Sequence, residues 1–329
     1  MQKSSNINSK LVSVIITVFN SFNHLRYCLD SIIQQTHKNL EIIIIDDFSS
    51  DNSPEIINEY VKKDSRIKFI ALDENRGYLE ATNIGLKLAT GEFITFLDSD
   101  DTCPLNRIEL QLSYLNDNCL DLVGTNCNII DKHGNKISTI EYPRYNGVKG
   151  INSIRACGSS VLFKRNILHC VGLFNPLFSR IGSEDFEWLL RCTKKYKFEN
   201  MKYALYNYRK HENSITTDLK SEHSLYRSIS HILAEKLVAY FHKNLSNNYW
   251  KKNEVQEKFE IIKTELIEKE KKYPINVLKR ETDSMIFNKF YYEAIKKNIH
   301  FIWNHKRKLS AYILLLKTII KSIILKLIR

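Results

Sequence analysis

From Leu11 to Asp101 the chain alternates short apolar runs with amphipathic segments, four times over, and two of the runs stop at clustered acids. Leu11 to Phe19, Glu41 to Ile45, Ile67 to Leu72 and Phe93 to Leu97 are the apolar runs. Such runs read as strands covered on both faces. Between the first two, Leu25, Cys28, Leu29, Ile32 and Ile33 recur at i, i+3, i+4, i+7 and i+8, one face of an amphipathic helix. Asn52 to Lys63 follows as a helix with Pro54 in its first turn, and Tyr78 to Ala89 as a third, stopped by Gly91. Alternation of this kind predicts a Rossmann-like α/β architecture, a mostly parallel central sheet with helices on both faces. Ligands of such sheets bind outside the carboxyl ends of the strands. Asp46-Asp47 and Asp98-Ser99-Asp100-Asp101 stand at two of those ends.

The rest of the chain is less regular. Leu120 to Ile130 predicts a strand, 131–135 a turn into a short return strand, and Ser159 to Phe163 another strand. Glu184 to Lys194 opens with two acids before Phe186, Trp188, Leu189 and Leu190, which suits the first turn of a helix. Glycine is absent after residue 217, and helix-forming residues dominate to the end. The expected division is a catalytic domain over 1–217, with a nucleotide-binding half at 11–101 and an acceptor half at 102–217. A helical, basic C-terminal extension follows over 218–329.

Composition narrows the function classes. At 329 residues, with 43% hydrophobic and 26% charged residues, intrinsic disorder is excluded for most of the length. Lys plus Arg is 49 against 37 Asp plus Glu, a net charge of +12 that favours an anionic partner. The basic residues concentrate in the tail, and no helix-turn-helix, zinc-finger or aromatic-basic RNA motif accompanies them, so nucleic acid is not the expected partner. Seven cysteines without C-x-x-C spacing read as reduced thiols of a cytoplasmic protein. The segment from Met1 to Lys10 lacks the apolar core of a signal peptide, and the apolar stretches fall short of the roughly 20 residues that span a bilayer.

Three carboxylates within four residues at 98–101 repel one another unless a cation sits among them. Mg²⁺ or Mn²⁺ is the natural partner, held by one or two carboxylates and the phosphates of a substrate. Turn formation is the plainer use of the same residues. Asp46-Asp47 reads either as a helix-capping region or as an acceptor for a base N–H or a ribose hydroxyl. Glu184-Asp185 reads either as an acidic helix start or as a source of a general base.

Taken together, these blocks resemble the family 2 glycosyltransferases, which have the GT-A fold. Val12 to Asn20 resembles the family's opening strand, and the likeness runs on through Glu41 to Ser53, Asn75-Arg76-Gly77 to Asn83-Ile84-Gly85, and Ala89 to Asp101. Glu184-Asp185-Phe186-Glu187-Trp188 with Arg191 is similar to the acceptor-side motif, and Tyr208 to Ser214 to the end of the catalytic domain. The resemblance implies an inverting, metal-dependent enzyme. It would move a sugar from a nucleotide-sugar, with UDP as the expected nucleotide, to a hydroxyl of a glycan or glycolipid. Thr17, Phe19, Asn20, Asp47, Asn75, Gly77, Asn83, Asp98 and Ser99 would line the nucleotide-sugar site, with Asp47 on the base. Asp100 would bind Mn²⁺ or Mg²⁺, with His211 completing the shell or touching the diphosphate. Asp185 would be the catalytic base, and Glu184 and Trp188 would lie on the acceptor side. Acceptor choice would fall to Glu141 to Arg155 and the loop before Glu184.

The sequence departs from the pattern in places. Thr17 stands where Pro is commoner, Phe48 replaces the usual Gly, Thr82 stands where Arg is common, and Ser183 precedes Glu184 where Gly is frequent. No carboxylate is lost, so activity is expected. A non-catalytic nucleotide-sugar or nucleic-acid binding protein is one alternative. A nucleotidyltransferase is another, but the Gly-rich basic loop it needs after the first strand is missing.

In the tail, Leu316, Ile320, Ile323 and Leu327 fall on one helical face, and Lys306, Lys317 and Lys321 are expected on the other. The last 24 residues hold seven basic side chains and no acid. Such a helix packs on the catalytic domain, mediates self-association, or lies on an anionic membrane. The resemblance adds weight to the last, a peripheral enzyme at the inner face of the cytoplasmic membrane, working in lipopolysaccharide, capsule or related polysaccharide biosynthesis, beside the packing alternative.

Overall fold

The computed structural model describes residues 7–144, 154–211, 223–241, 249–272, 278–279, 282, 286, 291–304 and 309–327. The expected domain boundary at 217, residues 145–153 of the acceptor-choosing segment, 212–214 of the last motif, Lys306 and the side chain of Leu327 lie outside the described residues.

The first half forms as its alternation requires. β1 (Val12–Val18) leads through α1 (Leu25–Ile33) to β2 (Leu40–Asp46), through α2 (Ser53–Val61) to β3 (Ile67–Ala71), and through α3 (Tyr78–Leu88) to β4 (Phe93–Phe96). β1 pairs in parallel with both β2 and β4, and β2 with β3. Every residue of β2 and β4 is buried, as the unbroken apolar runs demand. α4 (Arg107–Asp117) then leads to β5 (Leu122–Ile130), β6 (Lys136–Ile140), β7 (Leu162–Lys164), α5 (Ile167–Val171), α6 (Glu184–Cys192) and β8 (Phe198–Arg209). The sheet order is β3-β2-β1-β4-β7-β5-β6, with β8 also paired to β5. The β4–β7, β7–β5 and β5–β6 pairs are antiparallel, while β5–β8 is parallel. The chain therefore reverses its direction of growth at β1 and β4, which makes their carboxyl ends a topological switch point.

The strand expected from Ser159 begins at Leu162. Gly158 to Ser160 forms a single 3₁₀ turn, because the amide of Val161 donates back to the carbonyl of Gly158. This difference places Ser159 in the site.

The tail is helical where described: α7 (His223–Tyr240), α8 (Asn253–Lys272), α9 (Tyr291–Asn304) and α10 (Leu309–Leu327). α7 and α8 belong to the same core as the sheet. Ile229, Leu233, Leu237, Phe259 and Leu266 join Phe163, Phe178 and Trp188 in one buried cluster. All seven cysteines are free thiols. None of the described helices is long and apolar enough to cross a membrane.

Candidate active site

The carboxyl edge of β1, β2 and β4 gathers most of the sequence-predicted residues. Asn20, just past β1, is in the left-handed region (φ 49°), and its side-chain carbonyl accepts from the amide of Ser50 at 2.8 Å. The amide of Asn20 donates to Ser49 Oγ at 2.9 Å, so the β1 and β2 loops are tied together. Thr17 is half-buried at the end of β1, and Phe19 beyond it is exposed. Ser99 and Ser21 share a hydroxyl hydrogen bond of 2.6 Å across the same edge.

Asp47 is buried, and its carboxylate accepts the amides of Arg76 and Gly77 at 2.7 and 2.8 Å. Asn75 Nδ2 donates to the Asp47 carbonyl at 3.1 Å. In this structure Asp47 therefore holds the β3–α3 turn that carries Asn75 and Gly77, where Gly77 supplies the positive φ.

Two expectations need correction. Asn83 does not face the pocket: Nδ2 donates to the carbonyl of Phe174 and Oδ1 accepts its amide, both at 3.0 Å. A buried Asn this fully satisfied is a clamp between α3 and the segment before α6. Trp188 is likewise core rather than acceptor surface. It packs on Phe163 and Phe174, and its indole N–H donates to the Gly172 carbonyl at 2.9 Å.

Asp98 is the hub of the site. Its Oδ2 accepts from Ser159 Oγ at 2.7 Å and from the Tyr206 hydroxyl at 3.2 Å, and Oδ1 accepts from Tyr78 at 3.4 Å. Burial, then the charge of Asp100, pushes its pKa up to about 6 against these hydrogen bonds. Asp101 is wholly buried; its Oδ1 accepts the Arg209 amide at 2.7 Å, and burial with the charges of Asp100 and Asp98 raises its pKa well up.

Asp100 is the accessible acid of the trio. Its Oδ2 lies 2.9 Å from His211 Nε2. Adjacent ligands of an octahedral ion with bonds of 2.0–2.1 Å stand about 3 Å apart, so this oxygen–nitrogen pair fits a divalent cation. Among the described residues no three metal-binding side chains form a closed cage. The pair fits an ion whose remaining ligands come from substrate and water.

Glu184 and Asp185 start α6. The low-dielectric surroundings of Glu184, then the charges of Asp185 and Asp98, push its pKa up to about 8. Gly158 packs directly on the Asp185 carboxylate. The 158–160 turn therefore touches both the Asp98 and the Asp185 sides of the site.

Several supporting residues escape the sequence reading. Arg107 is fully buried; it donates to the carbonyls of Phe96 and Ser159 and to Thr95 Oγ1, and its guanidinium lies 5.2 Å from the Tyr206 ring. Arg209 Nε donates to the Asp100 carbonyl at 2.7 Å. His24 sits with its ring 5.1 Å from that of His211, and burial followed by the Arg209 charge lowers its pKa. A signal for Arg107 did exist: it and Gln111 occupy the buried stripe of α4, where a charge must be held by polar partners.

A sheet that reverses at β1 and β4, with acids along its carboxyl edge and a facing acid pair on a helix start, is the GT-A architecture. Solved structures of that fold agree. S. aureus TarS in complex with UDP-GlcNAc superposes with a TM-score of 0.53 at 16% identity, covering 91% of this chain and 93% of that one. GalNAc-T7 with UDP, GalNAc and Mn²⁺ gives 0.55 at 17% identity over 69% of this chain and 48% of that one. The glycosyl transferase family 2 model matches residues 13–172. A Haemophilus influenzae relative, described as an uncharacterized glycosyltransferase, is 34% identical over 194 residues, 58% of this chain and 75% of that protein. This chain belongs to glycosyltransferase family 2, and it is a glycosyltransferase.

Proposed function

We propose that the protein transfers a sugar, with inversion, from a UDP-sugar to a hydroxyl of a glycan or lipid-linked acceptor in surface-polysaccharide synthesis. The observation that carries this reading is the 158–160 turn, which joins Asp98, beside the Asp100–His211 pair, to Asp185 at the start of α6. Bound UDP and UDP-GlcNAc in the structural neighbours support the donor class, and Mn²⁺ in one of them supports the metal.

Asp100 and His211 would hold the divalent ion, which supplies Lewis-acid stabilisation of the diphosphate as it leaves. Asn20, Phe19 and Thr17 lie at the edge where the nucleoside would sit, and Asp47 fixes the turn that closes it. Asp98, supported by Ser159, Tyr206 and Tyr78, faces the ribose side. Asp185 takes the proton of the acceptor hydroxyl as that oxygen attacks the anomeric carbon opposite the diphosphate. Glu184, with its raised pKa, stays protonated at neutral pH and donates a hydrogen bond to the acceptor. An acceptor carried on a lipid would place the enzyme peripherally at a membrane surface.

Calorimetry of UDP binding, with and without Mn²⁺, tests the donor site in the intact protein and in Asp100→Ala. Binding that needs both the ion and Asp100 is expected. Metal-independent binding, or none to folded protein, overturns the uridine and metal assignments. Hydrolysis of a UDP-sugar panel then identifies the donor.

A further inference from the structure

The last two helices bury polar side chains and expose a large apolar stripe. α9 and α10 pack on each other, yet Ala294, Asn298, Thr318 and Ser322 are the residues buried there. Asn298 Nδ2 donates to the Ala294 carbonyl at 2.9 Å and to Thr318 Oγ1 at 3.4 Å. Ser322 Oγ donates to the Thr318 carbonyl at 2.7 Å.

Leu314, Leu315 and Ile319 of α10 and Ile295, Phe301 and Ile302 of α9 are half-buried, while a further set of apolar side chains faces away from this seam. On α10, Ile313, Leu316, Ile320 and Ile323 are 45–59% exposed at spacing i, i+3, i+7 and i+10. That stripe lies opposite Thr318 and Ser322. On α9, Tyr292 and Trp303 are 74% and 75% exposed, with Ile299 on the same face. The sequence expectation is corrected in one respect: the face opposite the apolar stripe is polar and buried, and the exposed Lys317 and Lys321 flank the stripe.

A helix pair surrounded by water has little reason to leave so wide an apolar stripe uncovered, because apolar burial drives its packing. Buried hydroxyl and amide contacts between the helices, beside an exposed apolar stripe, suit helices with lipid on one side. Charge selects the kind of surface. No acid follows Glu293, while residues 296–329 contain nine Lys and Arg, including Lys306-Arg307-Lys308 between the helices. Pairing with a second copy would set these cations against each other, whereas an anionic bilayer neutralises them. The exposed Trp and Tyr are side chains that favour a bilayer's interface.

We propose that α9 and α10 are a docking pair whose outward apolar face beds into the headgroup region of an anionic bilayer. It lies in the interface without spanning it. The inference deepens the membrane-surface part of the proposed function, but its test needs no sugar donor.

The experiment is flotation of the full chain on vesicles of phosphatidylcholine with phosphatidylglycerol, and on pure phosphatidylcholine. Binding to the anionic vesicles is expected to exceed that to the neutral ones by about tenfold or more and to fall at high salt. Leu316→Glu with Ile320→Glu, both at exposed positions, should cut it by about tenfold or more while circular dichroism and UDP binding stay unchanged. Trp188 and Trp250 are buried, so a blue shift of emission on the vesicles should disappear in Trp303→Phe. Folded protein that fails to float, or a double variant that floats equally well, overturns the proposal. So does a solution dimer that the double variant dissociates while the wild type ignores vesicles, which would assign the face to a second copy. UDP binding in the same samples reports the donor site separately.

Discussion

Gly158 lies so close to Asp185 that a methyl group on its Cα would stand 2.1 Å from Oδ2 and 2.8 Å from Cγ. The carboxylate is thus seated against bare backbone, and any side chain at 158 must displace it. Gly158→Ala is expected to lower kcat by roughly 100-fold, the cost of moving a reacting group by about 1 Å. UDP affinity should change little. Transfer rates measured beside UDP calorimetry check this; an unchanged kcat would mean that Asp185 needs no such seat.

Two adjacent acids should behave differently. Glu184 has its pKa pushed up to about 8, so at pH 7 it is mainly protonated, which favours Asp185 as the base. Glu184→Gln should retain activity within about tenfold at pH 7, whereas Asp185→Asn should lose about 10²–10⁴-fold. The same shift affects stability. A carboxyl with a raised folded-state pKa contributes fully below its ordinary value of 4.5 and loses that contribution as pH rises through about 8. Glu184→Gln should therefore gain stability relative to wild type between pH 5 and pH 8.5, readable as a widening gap in urea midpoints.

Phe48 carries a φ of +65° and is 56% exposed. A bulky residue in the left-handed region costs about 1–2 kcal/mol, and little packing offsets it here. Phe48→Gly should raise unfolding stability by about 1 kcal/mol, measured by urea denaturation, and no gain would show that the loop relaxes around the ring. Ser183 also has a positive φ, 66°, but its hydroxyl bonds Ser230 Oγ at 2.6 Å and His231 Nδ1 at 2.8 Å. Those bonds tie α7 to the start of α6, so Ser183→Gly should show no comparable gain.

Arg191 and Glu187 form a buried pair one helical turn apart, 2.9 Å at Nη2–Oε2. Tyr249 donates to Glu187 at 2.6 Å, and Arg191 also donates to the carbonyls of Val171 and Leu173. Removing one partner strands the other charge. Arg191→Ala should cost about 3–5 kcal/mol in chemical denaturation, far more than Arg26→Ala in the exposed Arg26–Glu59 pair, where solvent screening leaves little to lose. Equal losses would mean that water reaches the buried pair.

The first half of the sheet was legible because each of its strands and helices buries one repeated kind of residue. The unbroken Glu41 to Ile45 run and the 25, 28, 29, 32 stripe have few other ways to fold. α4 and β8 were not legible. The buried stripe of α4 is interrupted by Arg107 and Gln111, and β8 pairs with β5 across two register shifts that break its alternation. Phe48 and Ser183 show a middle case. Their departures from the family pattern were visible, but only backbone angles explain why glycine is usual there.

The sequence by itself determined the alternation, the acids at two strand ends and the family, because short-range periodicity and local motifs suffice for these. Only the tertiary structure decided what each polar group serves. Asn83 and Trp188 went to the core because their hydrogen-bond partners lie on segments distant in sequence. Asp47 acquired two backbone donors from 29 and 30 residues away, and Ser159 met Asp98 across 61. Buried polar groups must find partners, and which partners are in reach depends on long-range packing that no local pattern encodes.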